Sequence, residues 1–349
     1  MKKLLYVFSL LFFIACSTSR NTAQKDKNTD DASKFAASIT AENLKTHLYV
    51  FASDEFEGRN TGEPGQKKAI KYLKDFYVTQ KISSPLGKDD YYQEVPEAFL
   101  NQHSRRGRLK DSENVLAYIK GTEKPDEIIV ISAHLDHVGM EDGEIFNGAD
   151  DDGSGSMAIL EIAEAFQKAV KAGKGPRRSV LFLHVTGEEK GLLGSKYYTE
   201  NPTFPLENTV CNLNIDMIGR VDERHTIDSN YVYLIGSDKL STSLHQISEN
   251  INTKYTNINL DYTYNDDNDP NRFYYRSDHY NFAKHNIPVI FYFNGVHEDY
   301  HKPTDTPDKI EYDLLATRTR LIFHTAWEIA NRKERLVVDQ LEPEKTAIK

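Results

Sequence analysis

Apolar positions along this chain fall into two rhythms. After Gly65, the residues Ala69, Ile70, Leu73, Phe76 and Tyr77 recur at helical spacing and predict an amphipathic helix. Short continuous apolar runs, IIVIS (128–132), SVLFLHVT (179–186), TVCNLNIDM (209–217), YVYLIGS (231–237) and IPVIFYF (287–293), predict buried strands. Helical stripes interleave with them: Leu240, Leu244, Ile247 and Ile251, then Leu314, Leu315, Leu321, Ile322 and Ile329. This alternation predicts an α/β three-layer sandwich, a mixed, mostly parallel sheet with helices on both faces. No internal repeat is visible, and the polar stretch from Ser84 to Pro125 is too short to be an inserted domain. One domain over residues 38–335 is expected, followed by a polar tail over 336–349.

The amino terminus follows a different pattern. Lys2 and Lys3 precede an apolar run from Leu4 to Ile14, which closes on Ala15-Cys16. A membrane-spanning helix needs about 20 apolar residues, so the shorter run over 1–15 predicts a secretory signal peptide. FIAC resembles a bacterial lipobox, with Phe13 where leucine is usual, and implies lipidation of Cys16 after cleavage. The expectation is an exported lipoprotein held to a membrane. Residues 16–37 are polar and lack apolar periodicity, which predicts a disordered tether. An acylated Cys16 leaves Cys211 as the single remaining cysteine, so no intramolecular disulfide forms; Cys211 sits in an apolar run as a small core residue. A composition of 39% hydrophobic and 28% charged residues is ordinary globular material, and a net charge of -10 argues against a nucleic-acid partner.

Candidate chemistry is concentrated in AHLDHVGMEDGEIFNGADDDGSG. His134 and Asp136 are two apart at the end of a predicted strand, so both face one site. Asp150, Asp151 and Asp152 follow in a glycine-punctuated loop. Carboxylates this dense repel one another and resist burial, and histidine with carboxylate is a ligand set for zinc. Downstream, Glu188 and Glu189 leave the carboxyl end of SVLFLHVT, Asp216 ends another apolar run, and His301 lies in YHKPTDT. His137, three positions from His134, is expected on the opposite face of an extended chain, His184 is expected as a core histidine, and His279 has no place in the set. Asp150 and Asp152 are expected to shape the loop.

Taken together, SDEFEGRNTGEPGQKKA, AHLDHVG, NGADDDGSG, TGEEKGLLGS, NIDMIGR, RSDHYNFAKHNIPVIFYF and YHKPTDTPDKI resemble metallopeptidase family twenty-eight, the di-zinc aminopeptidases, over most of residues 48–312. The resemblance implies two zinc ions held by His134, Asp151, Asp216, Glu189 and His301, with Asp151 bridging. One zinc would take His134 and Asp216, the other Glu189 and His301. It further implies Glu188 as general base toward a zinc-activated water, Asp136 orienting His134, Asp305 doing the same for His301, Tyr300 donating to the oxyanion, and Arg276 near the substrate. In this family the peptide bond after the bridging aspartate is often cis. Peptides are the implied substrates. A glutaminyl cyclase of the same fold is a rival, but it resembles a one-zinc version with a tryptophan-lined pocket, and the single tryptophan here, Trp327, falls in the C-terminal helical stripe. A carboxypeptidase of the same family, with Arg276 holding a carboxylate, and a non-catalytic binding lipoprotein are the remaining alternatives.

Overall fold

A computed structural model describes residues 25–104 and 107–340. In chain order these form α1 (Lys25–Ala36), α2 (Ala41–Phe51), α3 (Pro64–Gln80), β1 (Tyr92–Val95), α4 (Glu97–His103), β2 (Ser112–Ile119) and β3 (Lys124–His134). A hairpin of β4 (Gly139–Glu141) and β5 (Glu144–Phe146) precedes α5 (Gly155–Lys171), β6 (Arg178–Val185), α6 (Leu193–Glu200) and β7 (Thr209–Ile215). Then come β8 (Tyr231–Ile235), α7 (Thr242–Ile251), β9 (Asn259–Asp261), α8 (His279–Ala283), β10 (Val289–Phe293) and α9 (Tyr312–Asn331).

Burial on two faces sets the architecture. Along β3, Ile129, Ile131 and Ala133 enter one apolar cluster while Ile128 and Val130 enter another; in β6, Val180 and Phe182 go one way and Leu181, Leu183 and Val185 the other. The first cluster is covered by α1, α2, α3, α5, α7 and α9, and the second by Tyr198 of α6 and Phe282 and Ala283 of α8. The eight strands run in the order β1-β2-β6-β3-β7-β10-β8-β9. The central four, β6, β3, β7 and β10, are mutually parallel, whereas β2 and β8 pair antiparallel to β6 and β10 on either side. The sheet is therefore an α/β sandwich of mixed direction with its parallel part in the middle.

The structure departs from the sequence expectation at the edges. β1, β2 and β9 lie outside the five predicted strands, and the stripe beginning at Leu240 starts two residues before α7. The expected signal peptide over 1–15, Cys16 and residues 341–349 lie outside the described residues. The structureless tether expected over 16–37 does not hold for its second half. Residues 25–36 form α1, because Ala32, Phe35 and Ala36 share one face and bury against α5 and α9. Phe35 packs 5.7 Å from Trp327, which in turn meets Phe166 and Phe323. At the other end, Leu336 is buried and Asp339 accepts the Thr242 N–H at 2.8 Å, so residues 336–340 belong to the domain as well.

If α1 is part of the fold, Phe35→Ala leaves a cavity beside Trp327. Urea or thermal unfolding should then show a loss of about 3 kcal/mol, the scale of large-to-small changes in a core. A parent-like midpoint would mean that this helix is dispensable.

Candidate active site

Loops leaving the carboxyl ends of the four central parallel strands converge on one point, the place where open α/β sheets hold their ligands. His134 is the last residue of β3, Asp151 lies in the loop before α5, Glu188 and Glu189 follow β6, Asp216 follows β7, and Tyr300 and His301 follow β10.

Asp151 divides the site in two. Its Oδ1 lies 3.1 Å from His134 Nε2, which is 3.6 Å from Asp216 Oδ1. Its Oδ2 lies 3.0 Å from His301 Nε2 and 3.7 Å from His137 Nδ1. Glu189 Oε1 completes this second group, 3.0 Å from His301 Nε2 and 3.1 Å from His137 Nδ1. The Asp151–Asp152 peptide bond is cis.

The supporting contacts fix which atoms face inward. The ring nitrogen His134 Nδ1 lies 2.9 Å from the main-chain carbonyl of Asp136, which selects the tautomer with a free Nε2 lone pair. This corrects the expected role of the Asp136 side chain. Its carboxylate lies 3.9 Å from His134 Nδ1 and instead accepts the Thr61 hydroxyl at 2.8 Å and the Glu188 N–H at 3.1 Å. Asp136 thus ties the His134 loop to the Glu188 loop. Asp216 Oδ2 accepts from the Ser277 hydroxyl at 2.6 Å, leaving Oδ1 toward His134. Asp305, expected to orient His301, accepts the main-chain N–H groups of Asp150 and Asp151 at 3.0–3.2 Å and so holds the loop instead.

His137 is the second correction. Strand alternation places it on the far face, but β3 ends at His134, so the period of two no longer applies beyond it. The chain turns, and His137 is fully buried with its Nδ1 toward Asp151 and Glu189. His184 is a core histidine, its Nε2 2.7 Å from the Tyr77 hydroxyl. His279 stacks on Phe291 at 4.8 Å, outside both groups.

The charges explain what this arrangement needs. Burial pushes the carboxyls of Glu188 and Asp136 upward, with acidic neighbours adding to both. Burial opposes charge on His301 too, yet Asp151 and Glu189 lift its imidazole to about 10. Protonated histidines are one way to neutralise buried carboxylates; a divalent cation between the same atoms is another, and it releases those protons. Asp151 Oδ2, Glu189 Oε1 and His137 Nδ1 are buried with no hydrogen-bond partner, so donor atoms suited to zinc are free and aimed at one another.

Around this centre lies a small cleft. Asp151, Glu188, Asp216, Tyr300 and His301 form its polar side, and Met217, Phe273, Phe291, Phe293 and Val296 its apolar wall. The Tyr300 ring stacks on His301 at 3.9 Å, and burial raises its phenol above the ordinary value. Arg276 stands exposed at the mouth, its guanidinium over the Phe273 ring at 4.7 Å.

A family model, that of peptidase family M28, matches residues 114–326, more than half of the chain. The chain belongs to peptidase family M28. Among M28 relatives, a probable leucine aminopeptidase of Trichophyton verrucosum is 31% identical over 225 residues, 62% of this chain and 57% of that protein. The chain therefore matches little more than half the length of such relatives. The Legionella pneumophila LapA aminopeptidase shares the fold at a TM-score of 0.66 and 18% identity, covering 96% of this chain and 81% of that one. BSAP, a zinc aminopeptidase from Bacillus subtilis, does so at 0.63 and 15%, covering 87% and 99%.

One residue of this M28 site that sequence reasoning passed over is Arg59. Its motif, SDEFEGR, gives no sign of a role, because a lone arginine in a polar turn has no visible partner in sequence. In the fold it is fully buried at a φ of 51°. Its guanidinium donates to the carbonyls of Leu135, Phe51, Asn147 and Gly148 at 2.7–3.0 Å. It binds together the chain on both sides of the metal-facing loop. Arg59→Met should orphan these carbonyls at about 1–3 kcal/mol each before relaxation. Denaturant titration of the metal-stripped protein should show a loss of at least about 3 kcal/mol; a change within 1 kcal/mol would remove Arg59 from this role.

Proposed function

We propose that this M28 chain is a zinc-dependent aminopeptidase that uses two zinc ions to release the first residue of a peptide. The observation that carries the reading is Asp151, whose two oxygens face two separate histidine–carboxylate groups at the base of a cleft. His134 and Asp216 would hold one ion, Glu189 and His301 the other, and Asp151 both. Zinc at these positions supplies a Lewis acid that acidifies water and polarises a carbonyl.

The chain's own groups do the rest. Glu188 faces the cleft, held at its N–H by Asp136, and takes a proton from the attacking water before passing it to the leaving amine. The raised phenol of Tyr300 keeps its proton at neutral pH and can donate it in a hydrogen bond to the oxyanion. The apolar wall of Met217, Phe273, Phe291, Phe293 and Val296 favours an apolar first side chain. Arg276 at the mouth would meet the peptide beyond the cleaved bond. Trp327 packs among Phe35, Phe166 and Phe323 and does not line the cleft, so the feature expected of a cyclase pocket is missing there.

Location is part of the same proposal: export by the 1–15 segment and anchorage through lipidated Cys16. Residues 17–24 separate Cys16 from α1 and span at most about 30 Å when fully extended. The catalytic domain would then work close to the membrane surface.

Aminoacyl chromogenic substrates, assayed after chelation and zinc return, test the activity. Apolar residues should be released fastest; release from the carboxyl end would make the protein a carboxypeptidase, and cyclisation of N-terminal Gln without hydrolysis a cyclase. Within that assay Glu188→Gln should keep both zincs and lose at least about 10²–10⁴-fold in turnover, the worth of a general base. Glu189→Gln should instead weaken zinc binding, with activity partly restored at high zinc. If Glu188→Gln loses metal and Glu189→Gln keeps it, the two roles are exchanged.

Anchorage has its own test. Cys16→Ser should move the mature protein from the membrane fraction to the aqueous fraction. Equal partitioning of variant and parent would rule the anchor out.

A further inference from the structure

The two halves of the metal centre are not equivalent, and the difference lies in His137. Around His134 there are three side-chain donors, His134 Nε2, Asp151 Oδ1 and Asp216 Oδ1, at 3.1 and 3.6 Å from the histidine nitrogen. Around Glu189 there are four: His137 Nδ1, His301 Nε2, Asp151 Oδ2 and Glu189 Oε1. Each histidine nitrogen lies 3.0 to 3.7 Å from each of the two carboxylate oxygens. Ligand atoms of a tetrahedral zinc with bonds near 2.0 Å sit about 3.3 Å apart. The four histidine–carboxylate separations of the second group are close to the edges of such a tetrahedron.

Three further observations place His137 there as a donor and not as packing. It is fully buried, and its Nδ1 has no hydrogen-bond partner, as is also true of Asp151 Oδ2 and Glu189 Oε1, the atoms it faces. A buried polar atom left in this state is costly unless something unseen satisfies it. Its ring is held in place from behind, since a Cβ at Gly148 (φ 54°) would stand 2.5 Å from the His137 ring carbons. Its edge meets the His301 ring at 5.7 Å and 68°, so the two imidazoles approach the same point from different directions.

We propose that His137 is a fourth protein ligand of the Glu189–His301 subsite. The two subsites would then differ in their side-chain donors, four around Glu189 and His301 against three around His134 and Asp216. The extra donor lies on the inner side of the site, since His137 is fully buried whereas His301 lines the cleft. The inference rests on the two-zinc reading and adds an inequality to it. The four-donor subsite should bind more tightly and exchange more slowly than the three-donor one.

Chelator-competition titrations of zinc, and absorption spectra of the cobalt-loaded protein, decide the matter for the full chain and for His137→Ala and His137→Gln. The parent should show two unequal affinities. Both variants should weaken the tighter step by more than about 100-fold, beyond the 10–100-fold that an outer supporting group is worth, and the visible cobalt bands of the tighter site should change. His137→Gln keeps most of the side-chain volume, so a folding defect in the alanine variant does not decide the result. Variants that titrate like a two-zinc, active parent, or that weaken only the looser step, would overturn the assignment of His137 while leaving the aminopeptidase reading intact. A parent that binds no zinc would overturn both.

Discussion

Carboxylates gathered where water scarcely reaches are the constraint on which the carboxyl edge of this sheet is built. The fold separates them by what satisfies their oxygens. Asp152 accepts main-chain N–H groups from His134, Gly155 and Met217, and Asp150 accepts from Gly219. These two hold the loops of β3, β7 and α5 in register, Asp150 turning its second oxygen to His297 Nε2 at 3.2 Å. Asp151, between them, receives no such donor at its carboxylate; its own N–H is taken by Asp305, and its oxygens are left to the histidines. Three identical residues in a row thus divide into two braces and one acceptor with no partner but imidazole. The same separation recurs in the neighbouring glutamates, since Glu189 joins His137 and His301 while Glu188 turns to the cleft.

That separation explains how far the sequence could be read. Apolar runs within β3, β6, β7, β8 and β10 mark the strands because both faces of the sheet are covered, so apolar residues predominate in those runs. β2 was hidden for the opposite reason. Its Ser112 and Asn114 are buried for their hydrogen bonds, to Thr186 and to the Gly194 carbonyl, and bracket the turn that carries Glu188. The apolar run VLAYI (115–119) that follows them is set within the polar stretch 84–125, which masks it. α1 was hidden because only Ala32, Phe35 and Ala36 are needed to seat it, and the rest of KDKNTDDASKFA is polar. His137 was misplaced because the rule applied to it belongs to strands, and the strand had already ended. Residue types carried most of the site; orientation, which depends on where each element stops, did not follow from them.

Orientation also comes from unexpected atoms. An imidazole can be aimed by any acceptor on its far nitrogen, and here the acceptor is a main-chain carbonyl, that of Asp136, which no side-chain pattern encodes. The Asp136 carboxylate is thereby free to join Thr61 to the amide of Glu188. Glu188 and His134 are then placed relative to each other through one residue, its carbonyl meeting the histidine and its carboxylate the amide of the glutamate.

The apolar wall of the cleft is positioned by the pleat of β10. Ile290 and Tyr292 point into the large helical core, while Phe291 and Phe293 point the other way, beside Met217 and Phe273. Phe291 is backed by the His279 ring at 4.8 Å, and Phe293 meets Phe273 at 5.0 Å. Neither ring can move outward without disturbing a buried neighbour, and neither can be shifted along the strand without moving Ile290 and Tyr292 out of register with β7 and β8. The width of the cleft is therefore set by the same parallel and antiparallel pairings that bring Asp216 and His301 to the metal-facing edge. In this fold the selection of a side chain and the placement of the chemistry share one strand, and a change in the first at Phe291 or Phe293 is carried through β10 to the second.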